Sequence, residues 1–413
     1  MSRLIFTNLG IDLLWDKNKA LSKLFPARIP SSEHLLLTQQ NLGLFFSKVE
    51  DTFIGHTGVD ETYLDFVNSF FKISNSTHFL KANPFDSANW IEGVKKLELS
   101  HKNIRNIFGA GFSVLEKDIC ELLNINFPKQ HDTDLYSKLN DKTFLLEIHN
   151  DLPVLFPDSK IVANSQLKNY FKNYDFTNVS CLLKFPQSSG GAGQIRLKQT
   201  KDLKILDFIE RQPYETEFNW LAQQVIPSSE EYTSFCYTDG LLDEYQHLVV
   251  KYDKNGYSYF HSTATEEQKC ETLDKLASKV SEILRKQGYL GYFGFDTIWN
   301  DKGQCYIVDL NVRLCKGHLI QNAAEFFSIE DYVCKRIRID GKPIINFYDF
   351  WNHLQKLIPE IHNRVFPIEV SGLKSINQSQ NCQLELTFIC PLLYINSAWY
   401  NQLDKAIEAT LNK

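Results

Sequence analysis

The sequence has no run of about 18 apolar residues, so no transmembrane helix is expected. It has no basic excess either. A net charge of -6 argues against a nucleic-acid protein that works through a broad basic surface. Its nine cysteines include no Cys-x-x-Cys pair, and its 11 histidines are dispersed, so spacing assigns no zinc site. The odd cysteine count fits reduced, mostly buried thiols of a cytosolic protein. The opening residues lack the basic stretch and apolar core of a secretion signal, so the expected location is cytoplasmic. Internal repeats and low-complexity tails are absent. What is present is an ordinary globular composition, 43% hydrophobic and 23% charged over 413 residues, with length for two or three domains.

The stretch from Gly291 to Arg313 organises the rest. It reads as two strands joined at Asn300-Asp301-Lys302-Gly303, where glycine supplies the positive φ of a tight turn. Asp296 lies on the first strand. Asp309 and Asn311 lie two apart on the second and share a face. Two carboxylates and an amide oxygen across a hairpin suit Mg²⁺, which takes hard oxygen ligands and keeps waters or phosphates. Arg313 continues that face and is placed to hold an anion. The competing reading of the same residues is polar decoration of a solvent-facing hairpin.

Upstream, Leu4–Thr7 and His34–Thr38 read as buried strands, and Asp60–Phe71 as an amphipathic helix capped by Asp60. Gly109-Ala-Gly111 is a turn before a helix over Val114–Leu123. Leu139–His149 opens a helix capped by Asn140 or Asp141. Lys142 then falls in the first turn, against the helix dipole. That hints at an anionic partner, the alternative being a solvated lysine. Ser165 is the candidate cap of a short helix to Phe171. Lys184 stands in the apolar strand Val179–Phe185, and a buried lysine needs an anion or loses its charge. The Gly/Ser loop after it reads as a mobile lid whose N–H groups can cradle phosphate. Asn219–Ile226 is a strand, Ser228–Glu231 a turn, and Tyr232–Tyr237 another strand. A hairpin spans His247–Phe260, and an amphipathic helix over Thr265–Gln287 ends at Gly288. After residue 330 the pattern weakens: a helix over Phe347–Leu357, a strand over Gln383–Ile389 and a helix over Asn396–Leu411.

In this order the motifs of residues 136 to 330 resemble the ATP-grasp superfamily. Lys142 looks like the first nucleotide lysine and Lys184 like the second. Ser188–Gly193, with Ser189, Gly190, Gly191, Ala192 and Gly193, resembles the phosphate lid. The stretch Gln223–Glu231 resembles the hinge. The resemblance implies adenine contacts from the backbone of Gln224 and Ile226, and a ribose contact from Glu231, with Glu230 as the alternative. It implies Asp296, Asp309 and Asn311 as metal ligands, and Arg313 and Lys184 as catalytic. Asp309 stands where glutamate is usual, Gln223-Gln224 where an acidic residue is common, and His318 after Arg313 could face the acceptor.

The implied fold is α/β: a pre-ATP-grasp α/β domain over 1–130, an ATP-grasp core over 131–335 with a lid subdomain at about 165–225, and a small C-terminal α+β domain over 336–413. The implied cofactors are ATP and one or two Mg²⁺ ions, with Mn²⁺ admissible. The implied reaction joins a carboxylate, of an amino acid or peptide, to an amine through an acyl phosphate. A phosphotransferase and a non-catalytic nucleotide sensor on the same fold compete with it. Small-molecule substrates are expected, with no nucleic acid or membrane partner, and a homodimer is compatible with the reading.

Overall fold

The computed structural model describes residues 2–7, 40–56, 61–70, 76–80, 87–99, 104–125, 127, 132–172, 174–177, 179–187, 193–212, 217–228, 230–253, 256–261, 267–340, 345–370 and 383–411. The expected strand at His34–Thr38, the cap Asp60 and the lid residues Ser188–Ala192 lie outside the described residues.

The N-terminal part is a four-stranded parallel sheet in the order β3-β2-β1-β4. Its strands are β1 (Ser2–Phe6), β2 (Thr52–His56), β3 (Ser76–Leu80) and β4 (Ile104–Gly109). Helices α1 (Glu61–Phe70) and α2 (Ser87–Lys96) lie between successive strands, as parallel pairing requires. The 3₁₀ turn over Gln40–Phe46 packs beside β1 and β2. Helix α3 (Val114–Leu123) follows β4 and starts in a capping box. There the buried Glu116 carboxylate accepts from the Ser113 N–H at 2.8 Å.

Helices α4 (Thr133–Leu139) and α5 (Lys142–Ile148) lead into a four-stranded antiparallel sheet, order β5-β8-β6-β7. It comprises β5 (Ser159–Ala163), β6 (Cys181–Lys184), β7 (Gln194–Leu197) and β8 (Asn219–Gln224). Helices α6 (Leu167–Phe171) and α7 (Lys204–Arg211) help to cover a small core of Val162, Leu183, Trp220 and Ala222. Ser165 caps nothing. Its hydroxyl reaches Glu217 instead, and the helix begins one residue later without a side-chain cap.

The third sheet has eight strands, in the order β13-β12-β9-β10-β11-β14-β16-β15. β9 (Glu230–Thr238), β10 (Asp243–Asp253) and β11 (Gly256–His261) form a meander, and α8 (Glu267–Lys286) covers one face. β12 (Gly291–Trp299) and β13 (Cys305–Asn311) are the expected hairpin. Gly303 takes φ +72° at its turn. α9 (Lys316–Phe326) crosses the opposite face. β14 (Tyr332–Asp340) follows α9. Then come α10 (Phe347–Leu357), β15 (Phe366–Glu369), β16 (Gln383–Pro391) and α11 (Ala398–Leu411). The C-terminal strands thus extend the sheet that carries the hairpin. One apolar core joins all three segments, from Ile5 and Phe53 through Phe235 and Leu319 to Phe388 and Leu403.

Candidate active site

The hairpin register makes Asp296 and Asp309 direct cross-strand partners, so both carboxylates stand on one face. Between Asp296 and Thr297 the register slips: Thr297 faces Ile307, and Val308 is left over. This bulge frees the Val308 carbonyl from the ladder. It accepts a hydrogen bond from Lys184 Nζ at 2.6 Å, reaching over from the end of β6. Lys142 arrives from the first turn of α5, which Asp141 caps through the Thr143 N–H at 2.8 Å. Its ammonium lies 2.8 Å from one Asp309 oxygen. It donates to the other at 3.0 Å and to Asn311 Oδ1 at 3.3 Å. Lys142 is therefore not a solvated surface lysine: its side chain is 4% exposed. Two lysines from separate elements meet the hairpin at its paired carboxylates.

The electrostatics follow from that crowding. Burial and the neighbouring Asp309 push Asp296 up to about 6, against a hydrogen bond from Thr233. Burial also pushes Asp309 upward, but Lys142 and Lys184 outweigh it and hold Asp309 below the ordinary carboxylate range. Burial pulls Lys184 below its ordinary value, with Asp309 opposing. The donors, two carboxylate groups and an amide oxygen, suit a hard divalent cation. Among the described residues no group of three or more His, Cys, Asp or Glu gathers, so any metal here draws further ligands from waters or phosphate. Arg313 is buried and directs Nη2 toward Asn311 Oδ1 at 3.5 Å and Nη1 toward the Leu314 carbonyl at 3.4 Å. The Leu314 N–H donates to the Ala110 carbonyl at 2.6 Å, so the turn at the end of β4 abuts the arginine.

The stretch expected to act as a hinge lies along β8 and its exit. The Gln224 N–H donates to Asp158 O at 2.8 Å and that of Val225 to Ser180 O at 2.9 Å. Among the described residues nothing pairs with the Ile226 N–H. Glu230 and Glu231 are strand residues, not a turn, because β9 pairs with β12 from Glu230 onward. Strand alternation then separates them. Glu231 faces the same way as Thr233 and Asp296, whereas Glu230 meets Lys269 of α8 at 2.6 Å. Beside the expected lid, the Phe185 N–H donates to Gly193 O at 2.8 Å. The Lys142 N–H donates to Pro186 O at 2.9 Å. Ser189, Gly190, Gly191 and Ala192 lie outside the described residues.

No family model matches the chain. It is 19% identical over 382 residues to the butirosin acyl-carrier protein L-glutamate ligase of Niallia circulans, covering 86% of this chain and 85% of that one. Among solved structures it superposes on an L-amino acid ligase from Bacillus licheniformis with a TM-score of 0.54 and 12% identity, over 98% of each chain. With a carboxyaminoimidazole ribonucleotide synthase from Aspergillus clavatus, complexed with ATP, the TM-score is 0.56 at 9% identity, over 99% of each chain. The chain therefore has the ATP-grasp fold of these enzymes.

Within this fold His318 is taken up by structure. Its Nδ1 accepts from the Cys315 N–H at 3.0 Å and its Nε2 donates to Cys236 O at 3.0 Å. Burial drives the imidazole down to about 4, so it is neutral. Thr233 and the Val308 carbonyl escape sequence reading: a strand threonine is ordinary, and a bulge depends on a partner strand. A cavity of about 460 Å³ lies between α1 and α10, lined by Phe66, Phe70, Phe347, Trp351 and Phe366 among others. It contains none of the lysines or carboxylates above, and the chemistry argues for the hairpin.

Proposed function

We propose that this ATP-grasp ligase joins a carboxylate to an amine at the expense of ATP, releasing ADP and phosphate, with an amino acid or peptide as one substrate. The observation that carries the reading is the meeting of Lys142 and Lys184 with Asp296, Asp309 and Asn311. Lysines and hard oxygen donors in one half-buried space fit a magnesium triphosphate. The amino-acid preference is supported by two proteins the chain resembles, an L-glutamate ligase and an L-amino acid ligase.

Bound Mg²⁺–ATP would supply the phosphoryl group that activates the acid as an acyl phosphate. Asp296, Asp309 and Asn311 would hold the metal. Lys142 and Lys184 would neutralise phosphate oxygens, work that depends on placement and charge more than on covalent catalysis. Gln224 and Ile226 would meet adenine by backbone atoms, and Glu231 the ribose. Gly193 and the loop before it would exclude water, which destroys acyl phosphates. Arg313 would stabilise the oxyanion that develops as the amine attacks.

The test is ADP release with Mg²⁺–ATP against a matrix of amino acids and amines, with an acyl-carrier protein among the acceptors. Turnover is expected only when acid and acceptor are both supplied, and Lys184→Ala and Asp309→Ala should each lower it by roughly a hundredfold or more. Unimpaired turnover by either variant would sink the assignment. Accumulation of a phosphate ester without an amide would turn it into a phosphotransferase.

A further inference from the structure

Asn140 separates α4 from α5, where a capping role would account for a single hydrogen bond. Its side-chain amide does more. Nδ2 donates to Tyr136 O at 2.9 Å and to Val312 O at 3.0 Å, and Oδ1 accepts from the Val312 N–H at 2.9 Å. The last two bonds copy the pairing of one strand residue with another, made by a side chain at the point where β13 ends. Asn140 is 3% exposed and Val312 is fully buried, so water does not replace these bonds. The amide orientation is unique, because only Oδ1 can accept from the Val312 N–H.

Val312 stands between Asn311 and Arg313, and Asn140 stands two residues before Lys142. We propose that Asn140 is a positioning residue: by clamping the Val312 backbone it sets the spacing of Asn311 and Arg313 against Lys142. The inference rests on the function proposed above. It adds a device that ties the nucleotide side to the acceptor side through one side chain. Asn140 supplies two donors and an acceptor in one plane at this length. Serine keeps one bond, alanine none. An ionised aspartate would aim an oxygen at two carbonyls.

That last point gives the test. In Asn140→Asp the carboxyl needs its proton to donate to Val312 O. Burial and the two facing carbonyls both favour the protonated form. Asp141 and Lys142 follow Asn140 in the chain, Tyr136 of α4 accepts its amide bond and packs its ring on Tyr289, and Arg313 follows Val312. Burial raises both tyrosines far above the working range. Binding of Mg²⁺ with the analogue AMP-PNP would be followed by calorimetry from pH 5.5 to 8, with circular dichroism confirming the folded state. At pH 8, Asn140→Asp should bind roughly tenfold more weakly than wild type, and the ratio should close toward one as pH falls. Using the ratio removes the titration of Asp296, which is common to both proteins. Asn140→Ala should be weak at every pH, and Asn140→Ser intermediate.

A folded Asn140→Asp whose ratio does not change with pH, or an Asn140→Ala that binds like wild type, overturns the proposal. If Asn140→Asp does not fold at pH 8, Asn140→Ser carries the comparison, and equality with wild type is the overturning result. A wild-type protein that does not bind the analogue overturns the nucleotide reading itself, a failure seen before any variant is made.

Discussion

Burial and the facing Asp309 make the charge of Asp296 costly. Its carboxyl is raised from 3.8 to about 6, so the folded protein holds that proton more tightly than the unfolded chain. The stability it contributes is complete below pH 3.8 and is lost as pH rises through about 6. Asp309 is depressed and runs the other way, losing its contribution as pH falls. In the metal-free protein at pH 7.5, Asp296→Asn should therefore raise stability by about 1–2 kcal/mol while removing Mg²⁺–nucleotide binding. Thermal melts in chelator at pH 7.5 and 4.5 check this, with the gain shrinking at the lower pH. No gain at pH 7.5 would refute the account of two like charges facing each other. Asp296, Asp309, Asn311 and Arg313 were legible in sequence because alternation along two short strands suffices to place them. The companion role of Asn140 was not, because its partner Val312 lies 172 positions away.

At the scale of elements, α9 shows how closely the site is packed. A Cβ on Gly317 would lie 1.8 Å from Phe235 Cζ on β9. Gly317→Ala should cost about 2–3 kcal/mol and displace the start of α9, beside Arg313. Urea unfolding reads the loss, and unchanged stability would mean that the helix does not sit on Phe235. The bulge on β13 and strand β14 were both illegible for a common reason. A bulge is defined by the strand opposite. The β14 run Tyr-Val-Cys-Lys-Arg-Ile-Arg-Ile-Asp looks like charged surface until Lys335 is seen to meet Asp404 of α11 at 2.8 Å. β15 holds Pro367, which an edge strand tolerates, and it is the edge.

For the whole molecule, the eight-stranded sheet makes the C-terminal segment a structural partner of the hairpin. A chain ending at residue 331 would strip β14, β15 and β16 from β11 and open the shared core. Expression of that truncation should give insoluble or unfolded protein, and the full chain should unfold without an early C-terminal transition in calorimetry. A soluble, folded truncation would argue for an independent C-terminal unit.

The ion pair of Lys142 with Asp309 has a consequence for the order of events. In the ligand-free protein the ammonium already serves as counter-ion to the carboxylate, so a solitary Mg²⁺ must evict it and leave it stranded in a half-buried space. In the proposed function a triphosphate would draw the ammonium away and thereby uncover the carboxylates for the metal. The site would then work as a two-key lock, in which each key lowers the resistance to the other, and such coupling is reciprocal by thermodynamic necessity. Lys142→Met should tighten free Mg²⁺ by roughly tenfold and weaken the nucleotide, abolishing their mutual help. Titrations of each ligand with and without the other measure it. Equal coupling in wild type and variant would show that Lys142 is no counter-ion at all. With Lys142 as that counter-ion, a cell rich in magnesium would face a protein that ignores the metal until the nucleotide comes with it.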